Sequence, residues 1–372
     1  MLQRNVALDV FRGITVCFMI IVNTPGNSET TFSPLLHAKW NGFTPTDLVF
    51  PSFLFAVGNA KSFVMHKWGT MKQSQVVWKI LKRTALIFLL GYLMYWFPFF
   101  YTDKNHNIIA SPISHTRIMG VLQRIALCYG IAALMIYFLK IRTSVIICVA
   151  LLFLYWILLY WFGDASDPLS LQRNAVFKFD KWLMGENHMY HGEGVAFDPE
   201  GWLSTLPAIA NVVGGFVVGQ WIQQKGNSYE GLTKLLLAGF ALIVFGYFWD
   251  LLLPINKKLW TSSFVVYTIG IDCIIIATLT YIIQYKGILK WSNFFQVFGK
   301  NTLFIYLLSE LLVTILFTIP VAPNSNVFRW VYQNIFSHAG GFAGSFLFAI
   351  SYMLLCWSVG YWLDKKRIYV KV

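Results

Sequence analysis

The chain has 372 residues, of which 57% are hydrophobic and 12% are charged, and its mean hydropathy is +0.59. Soluble globular proteins average about 25% charged residues, so this composition excludes a typical water-soluble enzyme, a disordered protein and a disulfide-rich secreted scaffold. The apolar runs are continuous and long, whereas a membrane β-barrel would show short alternating segments. We therefore predict an all-α, polytopic helical membrane protein.

Ten segments have the length and apolar character of a membrane-spanning helix, which needs roughly 20 mainly apolar residues. We predict that they form a single transmembrane domain over residues 1–372. A short interfacial segment, ILKWSNFFQVF, is expected just before the ninth span. The predicted spans run at about 6–23, 46–65, 79–98, 118–139, 143–162, 203–223, 232–252, 262–283, 299–319 and 342–363.

The formal net charge of +13 indicates the orientation of these spans. Lys and Arg accumulate in the cytoplasmic loops of membrane proteins. With both termini in the cytoplasm, 17 basic residues fall on the inner side and nine on the outer side. We therefore predict cytoplasmic termini. The long predicted loops are on the outer side, so recognition is expected there, and no basic run interleaved with aromatic residues suggests a nucleic-acid partner.

Several ionisable residues lie inside the predicted spans, where they are expensive and often functional. Asp9 and Arg12 are three residues apart on one helical face, which allows an ion pair or a cofactor contact. For the others, a packing or folding pair is weighed against a catalytic role. These other residues are Lys61, Arg124, Asp272 and Glu310.

The outer ends of spans one and two carry the most suggestive polar residues. Asn23 ends span one, and His37 lies in the connecting loop. Thr44 or Thr46 can cap the second helix, and Asp47 follows in its first turn, where the helix dipole favours a carboxylate. Histidine titrates near neutral pH, so an imidazole that can approach a carboxylate and an amide is either a solvated loop histidine or part of a functional site at the outer mouth.

Cysteine and histidine spacing gives no sign of a metal site. All five cysteines lie in apolar segments, without the CxxC or other metal-type spacing. His188 and His191 form the only arguable metal pair, and no carboxylate or cysteine is fixed beside them. We therefore expect no metal.

The block HAKWNGFTPTDLVFP at 37–51 resembles the signature of the heparan-α-glucosaminide N-acetyltransferase family, within the wider group of transmembrane acyltransferases. The resemblance extends over essentially the whole chain and is strongest to the short bacterial form, which lacks the luminal N-terminal domain. The other similar stretches are LDVFRG at 8–13, RIMGVLQRIALCY at 117–129, DPEGWLSTLPAIA at 198–210, PINKKLWTSSFVVYT at 254–268 and GKNTLFIYLLSE at 299–310.

This resemblance implies an enzyme of the bacterial inner membrane. It would move the acetyl group of cytosolic acetyl-CoA, a co-substrate, to the amine of a glucosamine-type sugar at the outer, periplasmic face. The active histidine of the family falls on His37, and its site asparagine and aspartate fall on Asn23 and Asp47. The family also suggests a homodimer in the lipid bilayer.

Two further groups of residues are candidates for binding the substrates. The phosphates of CoA need cations near the inner surface, and the acceptor sugar needs aromatic and polar groups on the outer side. The candidates for acetyl-CoA are Arg12, Lys79, Lys82, Arg83, Arg124, Lys300 and Asn301. The candidates for the sugar are Trp40, Asn41, Asp198, Glu200, Trp202, Lys257 and Trp260. Lys257 and its neighbour Lys258 serve either an anionic acceptor or the loop fold.

Two mechanisms stay open at this level. In the first, His37 acts as a general base, Asp47 orients its ring, and Asn23 holds the acetyl carbonyl or the developing oxyanion. In the second, His37 itself accepts the acetyl group. Other function classes also stay open: O-acetylation of a cell-envelope glycan, a solute transporter or channel, and a catalytically idle scaffold.

Overall fold

The computed structural model of the protein describes residues 5–102, 107–226, 228–322 and 325–370. These residues form thirteen α-helices and two short antiparallel β-ribbons. The predicted all-α membrane architecture is therefore confirmed. Arg4, Lys104 and Lys371, which entered the charge count, lie outside the described residues.

The helices follow one another with mostly short connections. They are α1 (Val6–Asn23), α2 (Val49–Val64), α3 (Gln73–Trp96), α4 (Val121–Phe138), α5 (Ile141–Phe162), α6 (Ala175–Met184), α7 (Thr205–Lys225), α8 (Tyr229–Asp250), α9 (Ser262–Thr280), α10 (Ser292–Lys300), α11 (Thr302–Thr318), α12 (Val327–Val331) and α13 (Gly341–Lys365). The strands are β1 (Phe100–Thr102), β2 (Ile108–Ala110), β3 (Pro320–Ala322) and β4 (Ser325–Asn326), and they pair β1 with β2 and β3 with β4.

Each of the ten predicted spans coincides with a helix, although not every helix is long and apolar enough to cross a membrane by itself. Seven helices meet that requirement, or eight if the bent pair α10–α11 is one span. α2 has 16 residues, and α3 carries Lys79, Lys82 and Arg83 in its first half. The count of ten spans and the cytoplasmic termini stay predictions.

Several predicted boundaries differ from the helix bounds by a few residues, and two of these differences have a clear local cause. Span two begins at Val49 and not at 46, because Pro45–Leu48 forms a separate 3₁₀ turn that leaves Asp47 ahead of the helix. Span nine begins at Thr302 and not at 299, because the chain bends by 82° between α10 and α11. α10 is the short segment expected before that span.

Local sequence explains where α1 begins and ends. The side chain of Asn5 accepts a hydrogen bond from the backbone N–H of Leu8 at 3.1 Å, which caps the first turn. Pro25 lies two residues beyond the last helical residue, Asn23, and a proline cannot continue the backbone hydrogen-bond ladder. The predicted Asp9–Arg12 ion pair is present within α1 at 3.8 Å.

α7 lies at the centre of the bundle and packs very closely against α2. About 72% of the apolar part of α7 is buried, against 22% for α5 and 28% for α8, so the latter two are peripheral. A Cβ atom placed on Gly58 of α2 would lie 1.8 Å from the backbone oxygen of Val212, and one on Gly215 of α7 would lie 1.9 Å from that of Phe55. Small residues thus let two backbones touch, as is common between membrane helices.

Candidate active site

His37 and Asp47 form a direct pair at the N-terminal end of α2. The His37 Nδ1 lies 2.6 Å from Asp47 Oδ1. The other carboxylate oxygen, Oδ2, accepts hydrogen bonds from the backbone N–H groups of Thr44 at 2.9 Å and Ala38 at 3.2 Å. Asp47 is only 1% exposed, whereas the side chain of His37 is 41% exposed. The local turn therefore fixes the carboxylate, and the carboxylate orients an imidazole that remains accessible.

The charge states of this pair suit a base. Burial acts to raise the pKa of the Asp47 carboxyl, but hydrogen bonds from His37, Thr44 and Ala38 outweigh it and hold that pKa below its usual value. Partial burial and then the charge of Lys257 lower the pKa of His37, against the opposing effect of Asp47. This lowered pKa favours the neutral form of the imidazole, the form that can act as a base. Because a carboxylate only accepts hydrogen bonds, Nδ1 carries the proton and Nε2 keeps its lone pair.

The segment 254–260 packs against the loop that carries His37. Three hydrogen bonds join the two segments: Gly42 N to Ile255 O at 2.8 Å, Asn256 Nδ2 to Asn41 Oδ1 at 3.0 Å, and Lys258 Nζ to Lys39 O at 2.9 Å. Lys258 also pairs with Glu193 at 2.5 Å. Lys258 and the Asn41 side chain thus hold the loop fold, which decides between the two roles considered for Lys258.

A second cluster of charges lies beside His37. The Arg117 guanidinium donates to both carboxylate oxygens of Asp198, at 2.9 and 2.7 Å, and to Glu200 at 2.7 Å. Lys257 Nζ lies 3.8 Å from the other oxygen of Glu200. Burial acts to raise the pKa of Glu200, but Lys257 and then Arg117 outweigh it and lower that pKa. Asp198 is fully buried on Arg117, so it anchors the cluster and is not open to a sugar.

Asn23 is not joined to His37 by any hydrogen bond in the described part of the chain. Its Nδ2 donates instead to Oε1 of Glu310 in α11, at 3.2 Å. Sequence reasoning therefore placed Asn23 at the mouth but missed its partner. It also missed Arg117, although RIMG belongs to one of the recognised stretches.

The three candidate tryptophans differ in accessibility. Trp40 and Trp202 are half-buried, and the indole N–H of Trp40 donates to Leu169 O at 2.9 Å. Trp260 is fully buried, and its indole N–H donates to Asn211 Oδ1 at 3.1 Å. The sugar-stacking role expected of Trp260 is corrected, because neither face of its ring is exposed.

Arg124 also has a different place from the one expected. It is fully buried, and its guanidinium donates to Gly201 O at 3.1 Å and to the hydroxyl of Ser204. The same guanidinium stacks on Trp260, at 4.8 Å from the ring centroid. Arg124 thus holds the 201–204 turn that follows Glu200 and does not line the inner cavity, so its assignment to acetyl-CoA is corrected.

A cavity of about 360 Å³ lies between α1, α2, α3, α4 and the start of α11. Two of the predicted CoA cations, Arg12 and Arg83, line it, and Lys61 is a third. Lys61 donates to the hydroxyl of Tyr129 at 3.3 Å, and the Arg83 guanidinium lies 4.9 Å from the centroid of the same ring. Within the described residues, neither Lys61 nor Arg83 forms an ion pair with a carboxylate.

The remaining acetyl-CoA candidates lie away from the lining of this cavity. Lys79 and Lys82 are exposed on α3. Lys300 pairs with Asp364 at 2.7 Å. The side chain of Asn301 binds the backbone of the C-terminal segment, donating to Ile368 O at 2.9 Å and accepting from Val370 N at 3.0 Å. Lys300 therefore ties α10 to α13, Asn301 fixes the C-terminal segment, and neither lines the cavity.

No family model matches the chain. Heparan-alpha-glucosaminide N-acetyltransferase of Mus musculus is 25% identical over 100% of this chain and 61% of its own length. The protein of the same name from Homo sapiens is 25% identical over 98% of this chain and 59% of its own length.

The chain is similar over essentially its whole length to these heparan-alpha-glucosaminide N-acetyltransferases. The resemblance seen in the sequence is thus confirmed. The chain spans about three fifths of the length of these curated relatives. His37, Asp47, Arg117 and Glu200 all lie within the aligned region, since that region covers the whole chain in the mouse comparison.

Proposed function

We propose that this protein is a membrane acetyltransferase, a single domain over residues 1–372. It moves the acetyl group of cytosolic acetyl-CoA to the amine of a glucosamine-type sugar at the outer face of a bacterial inner membrane. The observation that carries the proposal is the His37–Asp47 pair, which presents an accessible Nε2 lone pair at the outer mouth. The names of the curated relatives support the reaction and the acceptor class.

The inner cavity supports a route for the donor. Arg12, Lys61 and Arg83 bring three basic side chains to its lining, which fits the phosphates of CoA. The cavity wall on α2 runs from Val64 to Phe53, a distance of about 16 Å along the helix. A thin pantetheine arm would therefore extend from the inner surface toward the turn that holds Asp47.

The chemistry proposed for His37 is general base catalysis. The ammonium of the acceptor gives a proton to Nε2, and the neutral amine nitrogen then attacks the thioester carbonyl carbon. The C–N bond forms and the C–S bond breaks, so that CoA leaves as a thiol with one amine proton. The proton that His37 took from the ammonium then passes from the imidazolium to water. Asp47 stabilises that imidazolium, and the second N–H of Asn23 is available to the oxyanion, a contribution of about 3 kcal/mol for one donor.

The alternative chemistry is a covalent route. Nε2 of His37 attacks the thioester, CoA thiolate leaves, and the acetyl-imidazole is then attacked by the amine. Incubation of the protein with acetyl-CoA alone distinguishes the two routes. An acetyl group on the His37 peptide, found by mass spectrometry, would exclude direct transfer.

A comparison of acceptors with purified protein in detergent tests the function. Acetyl-CoA is the donor, and the readouts are released CoA thiol and acetylated sugar. We expect acetylated glucosamine and no product from glucose, which has the same ring and hydroxyls but no amine. Acetylation of hydroxyl-bearing glycans only would indicate an O-acetyltransferase. Solute flux without thiol release would indicate a transporter. The homodimer stays a prediction.

A further inference from the structure

Glu310 is a carboxylate in the apolar helix α11 that has no cationic partner in the described part of the chain. Its Oε1 accepts the hydrogen bond from Asn23, and within the described residues no Lys or Arg forms an ion pair with it. No hydrogen bond from the described chain reaches its second oxygen. An ionisable group placed in this way is costly, so its presence in the membrane indicates a function. The nearby carboxylates of Asp198 and Glu200, by contrast, are held by Arg117.

Helix geometry places Glu310 and Asn23 farther along α11 and α1 than the residues of those helices that line the cavity. Leu303 and Glu310 are seven residues apart on α11, which is about two turns, so they lie on one face about 10 Å apart along the axis. Arg12 and Asn23 are eleven residues apart on α1, which is about three turns on one face. Leu303 and Arg12 both line the cavity. Asn23 and Glu310 therefore lie on the same helix faces as these two lining residues, farther along α1 and α11 and beyond the lining of the cavity.

The same pair belongs to the polar region around His37. Glu310 and Glu200 both act electrostatically on the hydroxyl groups of Tyr95 and Tyr306. Glu200 in turn acts electrostatically on His37. The helix positions and the hydrogen bond from Asn23 thus place the Glu310 carboxylate at the far end of the proposed donor route from Arg12, with no ion pair to a Lys or Arg among the described residues.

We propose that Glu310 binds the ammonium group of the acceptor sugar and, by accepting from Asn23, fixes the orientation of that amide at the end of the donor route. The inference rests on the proposed acetyl transfer and adds the residue that recognises the amine. An amino sugar arrives mostly as an ammonium ion, and a carboxylate attracts that positive charge. A sugar with only hydroxyl groups carries no such charge. The ammonium then gives its proton to His37, as in the reaction above.

Neutralisation of the carboxylate is the direct test. We expect Glu310→Gln to raise KM for glucosamine at least about tenfold, the scale of a lost hydrogen bond to a charged group, while KM for acetyl-CoA stays within about twofold. Glu186→Gln is the control, because Glu186 is a half-exposed carboxylate of the outer loops that pairs with Lys181. It should leave both constants unchanged. An unchanged KM for glucosamine in Glu310→Gln would overturn the inference.

Equilibrium binding without acetyl-CoA gives a second test that does not depend on turnover. Wild type should bind glucosamine more tightly than N-acetylglucosamine, which has no charge, and the preference should disappear in Glu310→Gln. The preference should also fade in wild type as the pH rises and the amine loses its proton, so the test survives if the variant does not fold. Equal affinities for the two sugars in wild type would refute the ammonium site.

These outcomes distinguish an error in the role of Glu310 from an error in the proposed acetyl transfer. If wild type acetylates glucosamine but Glu310→Gln keeps its KM and its binding preference, the function stands and the role of Glu310 is wrong. If wild type shows the charge-dependent binding but makes no acetylated sugar, the ammonium site stands and the acetyl transfer is wrong.

Discussion

The substitution Asp47→Asn tests the arrangement of the site most sensitively, because it keeps shape and removes charge. Two backbone N–H groups, of Thr44 and Ala38, point at Oδ2 from 2.9 and 3.2 Å, so an acceptor must occupy that place. The asparagine would therefore turn its oxygen to the backbone and its NH₂ to His37. Facing a donor, Nδ1 gives up its proton and Nε2 takes it. The lone pair on which both mechanisms depend is lost.

The expected loss of kcat/KM is about 10²–10⁴-fold, the range that general base catalysis contributes. The assay measures glucosamine acetylation in detergent from pH 5 to 9. Asp47 also acts to raise the pKa of His37, so its removal should move the acid limb of any remaining activity to lower pH. Asp164→Asn in an exposed outer loop is the control. Asp47→Asn activity within about threefold of wild type would refute this reasoning.

Five further variants test other parts of the structure. Lys61→Met should raise KM for acetyl-CoA about tenfold and spare that for glucosamine, whereas the exposed Lys79→Met should change neither; equal effects of the two would contradict the donor route. Lys257→Met removes a charge that lowers the pKa of His37, so the acid limb of kcat/KM should move to higher pH; an unmoved limb would exclude that coupling. Lys258→Met should instead lower the melting temperature, because it frees the loops that Lys258 ties. Gly58→Ala should cost about 1–3 kcal/mol or more of stability through overlap with the α7 backbone, and an unchanged melting temperature would contradict the close packing.

The helices could be predicted from the sequence because a long apolar run is a local signal. The errors fell where a short polar stretch interrupts such a run. Pro45 starts a separate 3₁₀ turn before α2, and Asn301 turns its side chain to the C-terminal segment at the bend between α10 and α11. Neither event depends on hydrophobicity, so hydrophobicity alone could not place those helix starts.

The contacts of the candidate site also differ in how well the sequence could predict them. His37 and Asp47 are ten residues apart on the segment that connects α1 and α2, so their sequence predicted their contact. Arg117 and Glu200 are 83 residues apart, and Asn23 and Glu310 are 287 apart. Such contacts depend on how helices pack. The burial of Trp260 also depends on how the helices pack, so the sequence could not predict it. Its motif predicts a position near the mouth but not the direction in which the ring points.

The most direct test of the central claim is acetyl transfer by wild type and His37→Ala, with His191→Ala as a matched control in an exposed outer loop. Acetyl-CoA and glucosamine are the substrates, acetylated sugar and CoA thiol are the readouts, and CoA binding is measured in parallel. The account predicts that His37→Ala binds CoA but makes no acetylated glucosamine, while His191→Ala matches wild type. Acetylation that survives in His37→Ala would contradict both mechanisms.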